Sequence, residues 1–162
     1  IIERAISKMI LTAGGRTFIR TLKRLGYKVA IISGGFAPFT DHLARELDLD
    51  HAYSNTLQVV DGVLTGEVEG EIIDADRKAT LLEDIALREG IPLEQTVAIG
   101  DGANDLPMLK KAGLGIAFNA KPALREAADT ALNVPYLDAI LFMLGVSREE
   151  VEAADALDTN FQ

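Results

Sequence analysis

Three short runs rich in apolar residues constrain this chain more than any other feature: residues 29–32 (Val29-Ala30-Ile31-Ile32), 96–99 and 114–118. Each lies between stretches of helical periodicity. A strand that is apolar on both faces needs cover above and below. Flanking helices supply that cover, and a strand–helix–strand connection makes neighbouring strands parallel. The expected fold is therefore α/β, an open doubly wound parallel sheet. Ligands of such sheets bind outside the carboxyl ends of the strands. Chemistry is to be sought in the residues that follow each run.

The rest of the chain fits around these runs. Ile6, Met9 and Ile10 suggest one short helix face. Residues 16–25 read as a helix, with Phe18, Ile19, Leu22 and Leu25 at helical spacing and Gly26 as the stop. After Ser33-Gly34-Gly35-Phe36 a further helix places Phe39, Leu43 and Leu47 on one face. Residues 57–73 change character: Asp61-Gly62 between alternating segments is a hairpin signal. Asp74 or Asp76 can cap a helix over 77–89. Asn104 or Asp105 can cap another, with Pro107 in its first turn. A helix over 122–128, a strand over 130–133 and a helix over 137–144 follow. Ser147 with Glu150 has the capping-box pattern for a last short helix, and Asp155 onward is polar and expected to fray.

Bulk properties exclude several functions. With 162 residues, 48% hydrophobic and 25% charged, the chain suits one ordinary globular domain. Sixteen basic against 25 acidic residues give a net charge of −9. A nucleic-acid surface needs a basic stripe, and Lys23-Arg24 with Lys28 is too short to be one. An acidic chain that binds an anion needs a local cation. Cysteine is absent, so there is no disulfide framework, which fits the cytoplasm. No stretch approaches the roughly 18 apolar residues of a membrane span. The start, Ile1-Ile2-Glu3-Arg4, has no initiator Met, and reads either as the middle of a longer protein or as a processed end.

Three groups of residues bear chemistry. Ser33-Gly34-Gly35 follows a strand and precedes a helix, where a hydroxyl and glycine N–H groups can hold an anion; the alternative is a tight turn. Lys78 sits in the first turn of its helix, where the macrodipole disfavours a cation, so it implies a compensating anion or a side chain extended into water. In Gly100-Asp101-Gly102-Ala103-Asn104-Asp105 two carboxylates lie four residues apart at a strand end. If they converge, a divalent cation relieves their repulsion, and Mg2+ commonly uses one or two carboxylates plus substrate phosphate.

In this order the three groups resemble the second, third and fourth motifs of haloacid-dehalogenase-type (HAD-type) phosphotransferases. The stretch 100–109 is the most specific, and within that family 29–36, 62–68 and 112–122 look like its phosphoserine phosphatases. The likeness spans about 12–154. It implies a magnesium-dependent phosphatase that hydrolyses O-phospho-L-serine in serine biosynthesis through an aspartyl-phosphate. Ser33 and Gly34 would bind phosphate oxygens, and Lys78 would neutralise the phosphoryl group and the nucleophile. Asp101 would ligate Mg2+, Asn104 would contact substrate or water, and Asp105 would orient the metal shell. The likeness also divides the chain: 1–14 as the end of a helical cap with its linker, 15–146 as the catalytic core with a hairpin at about 55–73, and 147–162 as a helix and tail.

One motif of the family is missing. Its first, Asp-x-Asp-x-Thr, carries the nucleophile on a central strand, and no such string occurs here. In the family that strand lies between the strands ending at Ser33 and Ile99. The resemblance thus implies two strand edges facing a gap, a segment of the same protein needed to fill it, and no activity from this polypeptide alone. Two rivals remain. Other phosphatases and cation pumps share the Gly-Asp-Gly-x-Asn-Asp string, although pumps need membrane spans. A non-catalytic homologue that binds phosphate or a partner would have lost the nucleophile.

Overall fold

The computed structural model describes residues 2–158. The first half runs α1 (Ile2–Ile6), α2 (Gly15–Arg24), β1 (Ala30–Phe36), α3 (Ala37–Glu46), β2 (His51–Val60), β3 (Val63–Glu69) and α4 (Ala75–Glu89). The second runs β4 (Val97–Gly100), α5 (Leu106–Lys111), β5 (Leu114–Phe118), α6 (Pro122–Ala127), β6 (Thr130–Leu132), α7 (Ala139–Met143) and α8 (Arg148–Asp158). The α/β alternation matches the sequence reading.

The strands form two sheets of three, ordered β1-β2-β3 and β4-β5-β6. Strands β1 and β2 pair in parallel, as do β4, β5 and β6, while β2 and β3 make an antiparallel hairpin. The hairpin turn is Asp61-Gly62, with φ of 51° and 79°. Two successive positive φ values are what a two-residue turn matched to strand twist requires, and Asp-Gly meets that demand cheaply.

No ladder joins β1 to β4. A cleft of about 860 Å3 lies along them, lined by residues 29–32 of one edge and 96–99 of the other. Phe18 and Leu22 of α2 and Leu82 and Ile85 of α4 also line it. The gap implied by the family resemblance is therefore present as an apolar slot between two parallel edges. Helix α4 keeps the sheets in register across it. Ala79 belongs to a buried cluster with Ala98, Met108, Leu109 and Ala117, and Ile32 of β1 packs against that cluster. A second cluster, of Phe18, Leu22, Ile116, Phe118, Ile140 and Leu141, fixes α2 and α7 to the β5 side.

Several expectations need correction. Ile10 is 94% exposed and helix α1 stops at Ile6, so Ile6, Met9 and Ile10 form no helix face. Strand β1 is not buried on both faces: Ala30 is exposed and Ile31 and Ile32 are half-buried, because one flank opens on the slot. The strand preceding the hairpin begins at His51, and its first residues pair with β1 before the rest turns into the hairpin. Helix α8 continues through Asp155, whose carboxylate pairs with Arg20 of α2, and Ala154 is buried. The fraying expected beyond residue 158 lies outside the described residues. The capping box is as expected: the Ser147 N–H donates to Glu150 Oε2 (2.7 Å) and the Glu150 N–H to Ser147 Oγ (3.2 Å).

Candidate active site at the strand ends

The three groups singled out in the sequence sit at the ends of β1 and β4 and at the start of α4. Strand β1 runs on through Ser33-Gly34-Gly35 to Phe36, with an irregularity against β2 between Ile32 and Phe36. Ser33 Oγ accepts the Gly35 N–H at 2.9 Å, which leaves the hydroxyl proton able to donate outward. Gly34 and Gly35 are exposed, so their backbone is within reach of a ligand.

Asp74, not Asp76, caps α4: its Oδ1 accepts the Arg77 N–H at 2.8 Å. That places Lys78 in the first turn, as expected, and the structure supplies the compensating anion. Lys78 Nζ donates to Asp105 Oδ1 at 2.7 Å, and both side chains are 8% exposed. The alternative of a lysine extended into water is excluded. A buried charge without a partner would cost several kcal/mol, so each of these two residues requires the other.

Asp105 does more than pair. Its Oδ2 accepts the N–H groups of Asp101 (3.1 Å) and Gly102 (3.2 Å), drawing the 100–105 loop into a ring around one carboxylate. The expectation that Asn104 or Asp105 caps α5 is corrected: the helix has no side-chain cap, because the Asp105 carboxylate turns back into its own loop. Glycine is compulsory at position 100. A Cβ there would lie 2.4 Å from Asp105 Cβ and 2.6 Å from its Cγ.

The two carboxylates have different surroundings. Asp101 is exposed, whereas Asp105 is buried and bonded through both oxygens. Lys78, rather than a cation from solution, already balances Asp105. Among the described residues no group of three or more His, Cys, Asp or Glu side chains is placed to hold a metal. The donor set still suits Mg2+ as a partial site, since that ion takes few carboxylates and completes its shell with water and phosphate. Asp101 is the carboxylate open to it, and Asp105 sets the loop on which Asp101 stands. Asn104 is exposed beside them.

The chain belongs to the haloacid dehalogenase-like hydrolase family. The model of that family matches residues 1–110, which include Ser33, Lys78, Asp101 and Asp105. The chain is 60% identical over 157 residues to a phosphoserine phosphatase of Streptomyces coelicolor, covering 97% of this chain but 38% of that protein. A crystal structure of a probable phosphoserine phosphatase from Vibrio cholerae superposes with a TM-score of 0.84 at 40% identity, over 95% of this chain and 46% of the other. A phospho-aspartyl intermediate analogue of phosphoserine phosphatase gives 0.83 at 48% identity, over 90% and 68%. The chain thus spans about two-fifths of the length of the Streptomyces relative.

One site residue escaped the sequence reading of this HAD-family chain. Asn55, in β2, is 6% exposed; its Nδ2 donates to Gly34 O at 2.9 Å and its Oδ1 accepts the Ile73 N–H at 2.8 Å. The available signal was a single asparagine inside a strand-like run, a residue depleted in strands unless it has a specific bond to make.

Away from the strand ends, Asp50 anchors the start of the first sheet. Burial pushes its carboxyl up, but the Val29 N–H at 2.8 Å, followed by Lys23 and Lys28, outweighs this and holds it below the usual carboxylate range. On the surface, a hydrogen bond from Arg16 is the main cause that lowers the Glu46 carboxyl.

Proposed function

We propose that this chain forms the phosphate-binding and metal-binding part of a phosphomonoester hydrolase acting on O-phospho-L-serine in serine biosynthesis. The nucleophilic aspartate is carried by a strand that fills the slot between β1 and β4. One observation carries the reading: the Lys78–Asp105 pair stands at the carboxyl end of β4, one of two strand edges that face an apolar slot. A strand entering that slot in parallel would deliver its last residue beside Lys78. The similarity to phosphoserine phosphatases, and to a phospho-aspartyl intermediate analogue of one, supports the choice of substrate and of a carboxylate nucleophile.

The chain's own residues have definable tasks. The Ser33 hydroxyl and the Gly34 N–H donate to non-bridging phosphate oxygens. The Lys78 ammonium faces the charge that moves from the attacking carboxylate onto the phosphoryl group, and from there onto the serine oxygen. Phosphoryl transfer demands little beyond such positioning and charge stabilisation. Asp105 holds Lys78 and the 100–105 loop in place. Asp101 would hold Mg2+, with Asn104 close to the substrate. A bound Mg2+ would neutralise negative charge on the phosphoryl oxygens. Covalent capture by an aspartate divides one difficult displacement into two.

The other assignments belong to the same reading. In this reading residues 1–14 are the end of a helical cap with its linker, 15–146 the catalytic core with a hairpin at about 55–73, and 147–162 a C-terminal helix and tail, of which 159–162 lie outside the described residues. No helix among the described residues is long and apolar enough to cross a membrane, and the absence of cysteine fits a cytoplasmic enzyme. Phosphate release from L-phosphoserine with Mg2+, compared between this chain and one extended by an Asp-x-Asp-x-Thr strand, tests the proposal. Activity only in the extended protein is expected. Activity in the chain alone would show that a different residue attacks, and silence in both would favour a phosphate-binding module.

A further inference from the structure

We propose that Asn55 is a positioning residue, whose amide sets the distance between the phosphate-binding strand end at Ser33-Gly34-Gly35 and the start of the helix that carries Lys78. The inference rests on the phosphatase reading above and adds a residue that neither motif contains. Its basis is the way β1 departs from its ladder. Ile32 pairs with Tyr53 and Phe36 with Asn55, so four steps along β1 match two along β2. Ser33, Gly34 and Gly35 are thereby pushed out of register, and the Gly34 carbonyl takes its hydrogen bond from the Asn55 side chain instead. A bulge that redirects a strand end in this way needs such a substitute partner.

The other end of the same amide reaches a different segment. Asn55 Oδ1 accepts the N–H of Ile73, the residue before the Asp74 cap of α4. The Lys78 N–H then donates to Asp74 O at 3.0 Å, the first bond of that helix. One buried side chain thus links Gly34, whose N–H the proposed function assigns to phosphate, to the segment that sets where Lys78 begins its reach. The two segments lie close even without it: a Cβ on Gly34 would stand 3.7 Å from Ile73 O. An amide suits this place because it offers a donor on one side and an acceptor on the other, which neither a carboxylate nor a hydroxyl of similar size does in a fixed direction.

The test uses the complete enzyme, with its nucleophile strand, and two variants. Asn55→Asp keeps the acceptor for Ile73 and sets an acceptor against the Gly34 carbonyl. Asn55→Ala removes both bonds. In each, the KM for L-phosphoserine and the inhibition constant of inorganic phosphate should rise by about tenfold or more, the scale of one buried carbonyl left unpaired. The Mg2+ concentration for half-activation should stay as in the unsubstituted enzyme. Acidification should separate the variants. A buried carboxyl set against a carbonyl oxygen is protonated readily, and its O–H then donates to Gly34 O as the amide did. Relative to the unsubstituted enzyme at the same pH, Asn55→Asp should recover phosphate affinity as pH falls, and Asn55→Ala should not. The charged groups on the segment it touches are Glu71, Asp74, Asp76, Arg77 and Lys78, present in all three proteins. Unchanged KM and phosphate inhibition with only a lowered Tm would overturn the proposal, and so would an Asn55→Asp profile parallel to that of Asn55→Ala. If Asn55→Ala does not fold, the pH series of Asn55→Asp decides alone. An unsubstituted enzyme with no phosphatase activity sinks the proposed function, and this inference with it.

Discussion

In the β4-β5-β6 sheet the central strand β5 is buried from Gly115 to Phe118, with Ile116 and Ala117 fully inaccessible. In the β1-β2-β3 sheet no residue of β1 is buried, although Val29-Ala30-Ile31-Ile32 is as apolar as Leu114 to Phe118. The two strands differ in their neighbours. Strand β5 has a parallel partner on each side, whereas β1 has β2 on one side and the slot on the other. Apolar composition sets how much a strand gains from burial, and the number of partners sets how much burial it gets. An apolar strand left half-covered beside a second such edge is a place made for a further strand, and here it borders the site.

This contrast can be attacked at several points. The largest effect should come from Lys78→Met, which leaves the Asp105 carboxylate buried without its cation and should destabilise by about 3–5 kcal/mol in urea unfolding. A loss below about 1 kcal/mol would mean that the pair is open to water. In the second sheet Ile116→Ala should cost about 2–5 kcal/mol. Ile31→Ala, at the slot, should cost distinctly less in the chain alone. Equal costs would show that the slot is closed in solution. Supplying a strand for the slot should raise the cost of Ile31→Ala and leave that of Ile116→Ala unchanged. Amide hydrogen exchange sharpens the same point: the slot-facing amides of β1 and β4 should exchange rapidly and β5 amides slowly, with the former protected once a strand is added. Asp50→Asn should have the smallest effect, about 1 kcal/mol near neutral pH. The Asp50 carboxyl lies below its ordinary value in the fold, so its contribution is full above the unfolded value of about 4 and fades as pH falls through the lower folded value. The asparagine variant should lose that part of the acid dependence, and an unaltered profile would refute the anchoring role.

Much of this was legible in the sequence. Strand β5, the Asp61-Gly62 turn, the Ser147–Glu150 capping box and the position of the 100–105 loop at a strand end all follow from local pattern. Lys78 was legible as a cation out of place in the first turn of a helix, but the sequence left open whether it meets an anion or extends into water. The misreadings share a cause. Ile6, Met9 and Ile10 have helical spacing, but no neighbour covers Ile10 and the helix ends at Ile6. Residues 51–55 lack strong strand character, and β2 forms there because β1 offers an edge. Asp105 reads as a helix cap from spacing alone, yet Lys78 and two loop amides compete for its carboxylate and win.

The sequence by itself determined the alternation of strands and helices, the turns, and which residue types stand at the strand ends, because those follow from periodicities of two and 3.6 residues and from backbone preferences within a few positions. Only the tertiary structure decided which of these groups meet. Lys78 reaches Asp105 across 27 residues, and Asn55 reaches Gly34 across 21 and Ile73 across 18. The first contact is fixed by how α4 packs against both sheets and the others by how β1 pairs with β2 beside the start of α4, properties of the whole fold that no short window of sequence contains.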